Sequence, residues 1–242
     1  MALVNYDFDW SVLWREPYGA MVVKGILTTI HLSLLAWALA VILGVTVGVM
    51  RTQPWRPARL AGAAYVQVFR NIPFLVHLFF WYYAAPLLLP RAGQEWLYDN
   101  VPDYAYWAAV AGLGAYTASR VAEQFRSAFF AIPRDQYRAA YASGLTTFQT
   151  YRLVIVPYGF RLILPTFTTE FLTCFKNSAL AMTIGVMEIT HTAYYIDSFT
   201  WHGLETTTAA SLVYLSLAWT VICLMRLVER RMRIPGLIAR KS

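Results

Sequence analysis

Charge is what this chain has least of. Only 14% of its 242 residues are charged, against 58% hydrophobic, where a soluble domain carries about 25% and about 45–50%. Residues 26–50, 71–90 and 206–225 hold no charge at all. A membrane-crossing helix needs roughly 20 apolar residues, and each run is long enough, so a soluble core is the poorer explanation of them. Cysteine is nearly absent: Cys174 and Cys223 both sit in apolar stretches. They act as small hydrophobes, and no disulfide framework is expected. A phosphate-binding Gly-x-x-x-x-Gly-Lys-Ser/Thr segment is missing, so the chain is expected to bind no nucleotide. Of the four histidines none forms a His-Glu-x-x-His metal site, and His202-Gly203-Leu204-Glu205 lacks a full ligand set. No nucleophile–base arrangement stands out, and neither internal repeats nor low-complexity segments occur. Residues 1–15 lack a basic segment with a cleavage site, so no cleaved signal peptide is expected. The net charge of +7 comes with no nucleic-acid-binding motif. Its charges fall between the apolar runs, where the positive-inside rule interprets them.

Taken in order, residues 1–24 mix acids with Trp10, Trp14 and Tyr18 and read as a leader at the membrane surface. The first span is 26–50, with Gly44 and Gly48 four apart on one face, a spacing that lets helices approach closely. Arg51, Arg56 and Arg59 then mark a short cytoplasmic loop. The second span, 71–90, follows an amphipathic lead-in and opens at Arg70-Asn71-Ile72-Pro73. The loop from residue 91 to 103 holds Glu95, Asp99 and Asp103 against one Arg and lies outside. The third span, 104–126, becomes charged at its inner end. Residues 132–157 form a cytoplasmic loop with Arg134, Arg138 and Arg152. The fourth span is 158–176. Residues 177–187 are apolar but too short to cross, and read as a half-helix or re-entrant turn. Residues 188–205 lack Lys and Arg and lie outside. The fifth span is 206–228, and the tail with Arg230, Arg231, Arg233, Arg240 and Lys241 is cytoplasmic. The expectation is an all-α, polytopic membrane protein in one domain, with about five transmembrane helices, N-terminus outside and C-terminus in the cytoplasm.

Residues 132–157 are unusual as a polar, mostly helical tip between two spans. Pro133 can open a helix in which Tyr137, Ala140 and Tyr141 share an apolar face, with Arg134 and Arg138 one turn apart on another. Gly144 ends it as a C′ residue would. Thr146 or Thr147 can cap a second stretch bearing Phe148, Tyr151, Val154 and Ile155, which Pro157 stops. Small Ala139 and Ala140 would let a partner surface approach closely. Such a helix suits a protein partner or lipid headgroups alike.

Here the chain resembles the permeases of ABC importers. Their loop pattern is Glu-Ala-Ala, three residues, Gly, nine residues, Ile-x-Leu-Pro. This chain reads Arg138-Ala139-Ala140, Gly144, then Val154-Ile155-Val156-Pro157 at the same spacings, with Arg138 replacing the Glu and Val the Ile and Leu. The polar amino-acid subgroup is resembled over nearly the whole chain. The matching segments are Phe69-Arg70-Asn71-Ile72-Pro73-Phe74-Leu75-Val76, Arg120-Val121-Ala122-Glu123-Gln124, Glu170 through Lys176-Asn177-Ser178, and Ile184-Gly185-Val186-Met187-Glu188. Thr117-Ala118-Ser119 and the tail Val228-Glu229-Arg230 to Pro235-Gly236 look closest to glutamate/aspartate permeases. The resemblance implies a type I importer of the bacterial inner membrane. A second permease chain, expected to be non-identical, completes the pore. Two cytoplasmic ATPases holding ATP and Mg clasp the loop, and an outside binding protein delivers the amino acid. Arg134, Gln136, Arg138, Ala139, Ala140, Ser143 and Gly144 are the expected coupling residues. The chain itself is expected to be no enzyme and to carry no cofactor.

Ionisable groups within spans suggest a pathway, and the candidates are Arg120, Glu170, Lys176, Asn177 and Ser178, with Glu123 nearby. A helix break after Lys176 would aim the free N–H groups of residues 177–179 at a cargo carboxylate. Alternatively, Glu170 and Lys176 neutralise other groups and never meet cargo. Glutamine, asparagine or a basic amino acid are alternative cargoes. An ion-coupled secondary transporter and a membrane enzyme are the alternatives of other classes; the first usually shows inverted repeats and the second needs a catalytic set, neither of which is found.

Overall fold

The computed structural model describes residues 6–232, and among these the chain is helical almost throughout, with no strand. The tail residues Arg233, Arg240, Lys241 and Pro235-Gly236 lie outside the described residues. After a 3₁₀ turn at Trp10–Leu13 come α1 (Tyr18–Thr52), α2 (Arg56–Asn71) and α3 (Phe74–Phe79). Next are α4 (Arg91–Asn100), α5 (Tyr104–Phe130), α6 (Arg134–Ala142) and α7 (Thr147–Thr150). The chain closes with α8 (Val156–Asn177), a 3₁₀ turn at Ser178–Ile184, α9 (Ile189–Thr200) and α10 (Gly203–Met232).

By length and apolarity, α1 and the segment Gly203–Arg231 of α10 are able to cross a membrane. Helix α2 and the segment Phe74–Ala84 pass the same test only together, and they meet at 105°. The expected second span, 71–90, is therefore sharply bent at its start. Pro73 causes the break: at φ −55°, ψ 139° it caps α3 and supplies no N–H that would continue α2. Helices α5 and α8, with 27 and 22 residues, reach about 40 Å and 33 Å. They cover the expected spans 104–126 and 158–176 but carry charges along their length.

Three further expectations change. The loop from 91 to 103, expected to lie outside, contains α4, which Pro90 opens and good helix formers such as Ala92, Gln94 and Glu95 sustain. Residues 188–205 contain α9, whose N-cap is Glu188, and His202-Gly203-Leu204-Glu205 runs into the first turn of α10. Pro157 does not stop a helix. A π turn at Tyr151–Ile155 leads into α8, and the Val156 N–H donates to the Tyr151 carbonyl, five residues back. The widened turn absorbs a proline that cannot donate to the usual carbonyl four residues back. The same device recurs at Phe80–Ala84, where the Ala85 N–H reaches the Phe80 carbonyl at 2.8 Å just before Pro86.

The described residues form two compact units: 6–39 with 72–114 and 173–219, and 40–71 with 115–172 and 220–232. In the first, Ile189, Ala193 and Ala210 form a buried cluster packed by Val22, Ile26, Val213 and Tyr214. Thr29 on α1 accepts the Ile189 N–H at 3.1 Å and donates to the Gly25 carbonyl at 2.9 Å, which joins α1 to the start of α9. The leader is tied down as well: the Tyr6 hydroxyl and the Asp9 N–H both donate to the buried carboxylate of Glu205. Ser11 donates to Asp9 and holds its carboxyl below the usual range. Phe8, Trp10 and Trp14 stay exposed, in keeping with a segment at a membrane surface.

In the second unit the two spaced glycines of α1 are contact points on α5. A Cβ on Gly44 would stand 2.6 Å from Val121, and one on Gly48 would stand 2.8 Å from the Phe125 ring. Replacing Gly44 by Ala therefore forces the helices apart, and overpacking of this kind costs ~1–3 kcal/mol. The expected result is a fall of several degrees in the melting temperature in detergent, with a smaller fall for Ala at the open position Gly93, where the nearest atom lies at 3.4 Å.

Candidate functional site

Two groups of side chains stand out, one on the loop between α5 and α8 and one of charges inside the helices. The loop is built by local rules. Pro133 opens α6, and Gln136 N–H donates to its carbonyl at 3.0 Å. At the other end Gly144 takes φ +79°, the left-handed conformation in which glycine has no Cβ penalty. Gly144 N–H bonds the Tyr141 carbonyl at 3.0 Å, and Leu145 N–H bonds the Ala140 carbonyl at 3.2 Å. These two bonds close a Schellman motif. Thr146 then caps α7, accepting the Gln149 N–H while the Gln149 side chain accepts the Thr146 N–H at 2.9 Å. The capping box satisfies two otherwise free donors.

These caps fix which residues face outward. Arg134, Arg138, Ala139, Ser143 and Gly144 are exposed, and Gln136 is half-buried. Ala140 is only 5% exposed. It seats α6 on its own chain and is not open to a partner, contrary to the sequence expectation; only Ala139 of the pair offers a close approach. Tyr137 packs edge-on to Tyr151 at 6.1 Å, and burial raises its phenol above the usual value. Arg138 reaches Asp135 at 3.6 Å, with both side chains exposed, a pair worth little. Its guanidinium thus remains available. A Val at Gly144 meets no neighbour, since nothing lies within 4 Å of its Cβ, but a β-branched residue is strained at that φ. Gly144→Val is expected to fray the end of α6 by about 1 kcal/mol or more and to lower uptake without lowering yield. The check is uptake per mole of assembled complex.

Within the helices, Arg120 grips Glu170 in a fork at 2.6 and 3.2 Å, and Gln124 adds a third donor at 3.4 Å. Glu170 is buried. The two expected pathway charges thus satisfy each other across α5 and α8. Glu123 likewise bridges Arg51 of α1 and Arg126, the latter at 2.5 Å. Lys176, Asn177 and Ser178 belong to the other unit. Lys176 is exposed and, among the described residues, enters no ion pair. Ser178 is buried and donates its hydroxyl to the Phe175 carbonyl at 2.7 Å, so its proton is committed.

The free half-helix terminus expected at residues 177–179 is absent, because the 3₁₀ turn continues α8 without a break. The chain breaks instead at Gly185, with φ +88°, and the exposed N–H groups belong to α9. They are already occupied: Glu188 accepts Thr190 N–H at 2.9 Å and His191 N–H at 2.8 Å. A carboxylate does sit at the half-helix terminus, and it is the protein's own. Sequence reading treated Glu188 as one acid of an outside loop; the signal available was an acid directly after an apolar turn and before a helix-compatible run.

An all-helical chain with membrane-crossing segments and a capped helical tip defines a polytopic membrane subunit. The chain belongs to the family of binding-protein-dependent transport system inner membrane components, whose model matches residues 40–234. It is 36% identical over 241 residues to the glutamate/aspartate import permease protein GltJ of Escherichia coli (strain K12), covering 96% of this chain and 98% of that one. Similarity to the glutamine transport system permease protein GlnP of the same strain is 28% over 94% and 99%. Among solved structures, that of an amino acid ABC transporter with histidines matches with a TM-score of 0.79 at 28% identity, over 93% of this chain and all of that one. The chain is accordingly a transporter subunit and not an enzyme.

Proposed function

We infer that the chain is the permease subunit of an ATP-driven amino-acid importer whose cargo is glutamate and aspartate. The observation that carries the reading is 36% identity to a glutamate/aspartate import permease across 96% of the chain. In this reading a cytoplasmic ATPase holds α6 through Arg134, Arg138, Ala139, Ser143 and Gly144, with Gln136 at the edge and Ala140 setting the helix in place. Arg138 asks for an acidic group in the ATPase groove. ATP and Mg belong to two such ATPases, a second, non-identical permease completes the pore, and an outside binding protein delivers cargo. The N-terminus faces outward and the C-terminus the cytoplasm. Arg120 and Glu170 act as a paired gate-post, and Lys176 with Asn177 meets the cargo carboxylate.

The test is ATP-dependent uptake of labelled glutamate into vesicles holding the reconstituted complex. Competition by aspartate alone is expected. Competition by glutamine instead supports the second reading that the glutamine permease relative favours. Uptake that ignores ATP and follows an ion gradient overturns the importer.

A further inference from the structure

The geometry points to a second cargo station, an outer vestibule in the first unit that holds a zwitterionic α-amino acid between Lys24 and Asp103. This inference rests on the amino-acid importer reading above. The cavity has a volume of about 500 Å³, inside the range of roughly 300–1,000 Å³ that small-molecule sites occupy. It shares no residue with the Lys176 group, since its walls come from α1, the start of α5 and the turn around Gly185.

Three observations select the occupant. First, Lys24, Thr28 and His31 recur at helical spacing on one face of α1, and all three line the cavity. Lys24 is exposed and stands just ahead of the charge-free run 26–50, near the start of a helix able to cross a membrane, where an ammonium is open to an incoming ligand. Second, the cavity holds one cation and one anion, Lys24 and Asp103, and among the described residues neither enters an ion pair. Opposite charges lining one cavity without pairing suit a ligand that carries both. Third, the backbone is shaped around the space. Asp103 sits at φ +52°, a left-handed conformation uncommon outside glycine and one found at ligand clamps. Gly185 sits at φ +88° with nothing within 4 Å of an added Cβ, which leaves room for a ligand to approach the main chain. His31 and Tyr106 close the inner wall through a 2.5 Å hydrogen bond. In this arrangement the Lys24 ammonium takes the α-carboxylate and the Asp103 carboxylate takes the α-ammonium, while the cargo side chain extends toward His31 and Tyr106.

The experiment uses the complete importer in nanodiscs without its binding protein, titrated with labelled glutamate and competed with glutarate, which is glutamate without its amino group. Saturable binding is expected, with glutarate competing at least tenfold more weakly than glutamate. Lys24→Met and Asp103→Asn should each weaken glutamate binding about tenfold or more, as expected for one lost charge-assisted contact. Asp103→Asn should also erase the preference over glutarate, and Lys24→Arg should restore binding. Should Lys24→Met fail to assemble, Lys24→Arg and Asp103→Asn still decide through the glutarate ratio. Affinities within twofold of wild type in both neutral variants overturn the vestibule, as does a wild type that transports without binding glutamate in this assay. Loss of ATP-driven amino-acid uptake in the wild type would instead overturn the importer reading, and the two failures are therefore distinct.

Discussion

Glu188→Ala is expected to collapse the yield of folded protein. Glu188 is fully buried, and its two oxygens accept three donors: Thr190 N–H at 2.9 Å, His191 N–H at 2.8 Å and the Tyr214 hydroxyl at 2.8 Å. The carboxylate also sits at the N-terminus of α9, where the helix dipole favours a negative charge by about 0.3–1 kcal/mol and more when partly buried. Alanine leaves all three donors without an acceptor beside the apolar cluster of Ile189, Ala193 and Ala210. Each unsatisfied buried group costs ~1–3 kcal/mol, so three of them cost about 3–9 kcal/mol, a large share of a marginal stability. Glu188→Gln keeps one acceptor oxygen and should fall between alanine and wild type. Tyr214→Phe removes one donor and should cost about 1 kcal/mol. Thermal unfolding in detergent reads the order directly. If Glu188→Ala loses no more than Tyr214→Phe, the carboxylate is not the keystone of this turn.

Glu188 also marks where sequence reading stops. The long charge-free runs declare their helices because apolarity over 20 residues has few other uses in a chain. The loop between α5 and α8 is legible almost atom by atom: Pro133, Gly144 and Thr146 are strong local punctuation, and each takes the backbone role its residue type favours. Three things were not legible. Helix α4 is short and polar, and α9 is short, its buried stripe of Ile189, Thr192, Ala193 and Ile196 at helical spacing hidden behind the acids that make the stretch look like loop. The π turns before Pro86 and Pro157 depend on a hydrogen-bond register that composition does not encode. Ion-pair partners are also hidden, because Arg120 and Glu170 are 50 positions apart and only folding brings them together. The same gap moved the helix terminus: an apolar break after Lys176 looks like a half-helix start, while the conformation that ends the run is the left-handed Gly185.

Lys176 lies on the last turn of α8, away from the terminus that Glu188 occupies. Lys176→Met is expected to cut ATP-driven glutamate uptake at least tenfold while leaving assembly and melting temperature near wild type. Its structural worth is small: as a basic residue in the last turn of α8 it gains at most about 0.3–1 kcal/mol from the helix dipole. The 3₁₀ turn that continues beyond Asn177 reduces even that, because the last free carbonyls lie further on. It is exposed, and with no ion pair among the described residues its removal strands no buried partner, unlike a change at Glu170, which Arg120 and Gln124 hold. A charge-assisted bond to a cargo carboxylate is worth ~1.5–3 kcal/mol, or about 10–150-fold in binding. Function should thus fall far more than stability, and Lys176→Arg should retain most of both. A variant that melts early or loses its ATPase subunits would give Lys176 a structural role and leave the cargo carboxylate to other groups.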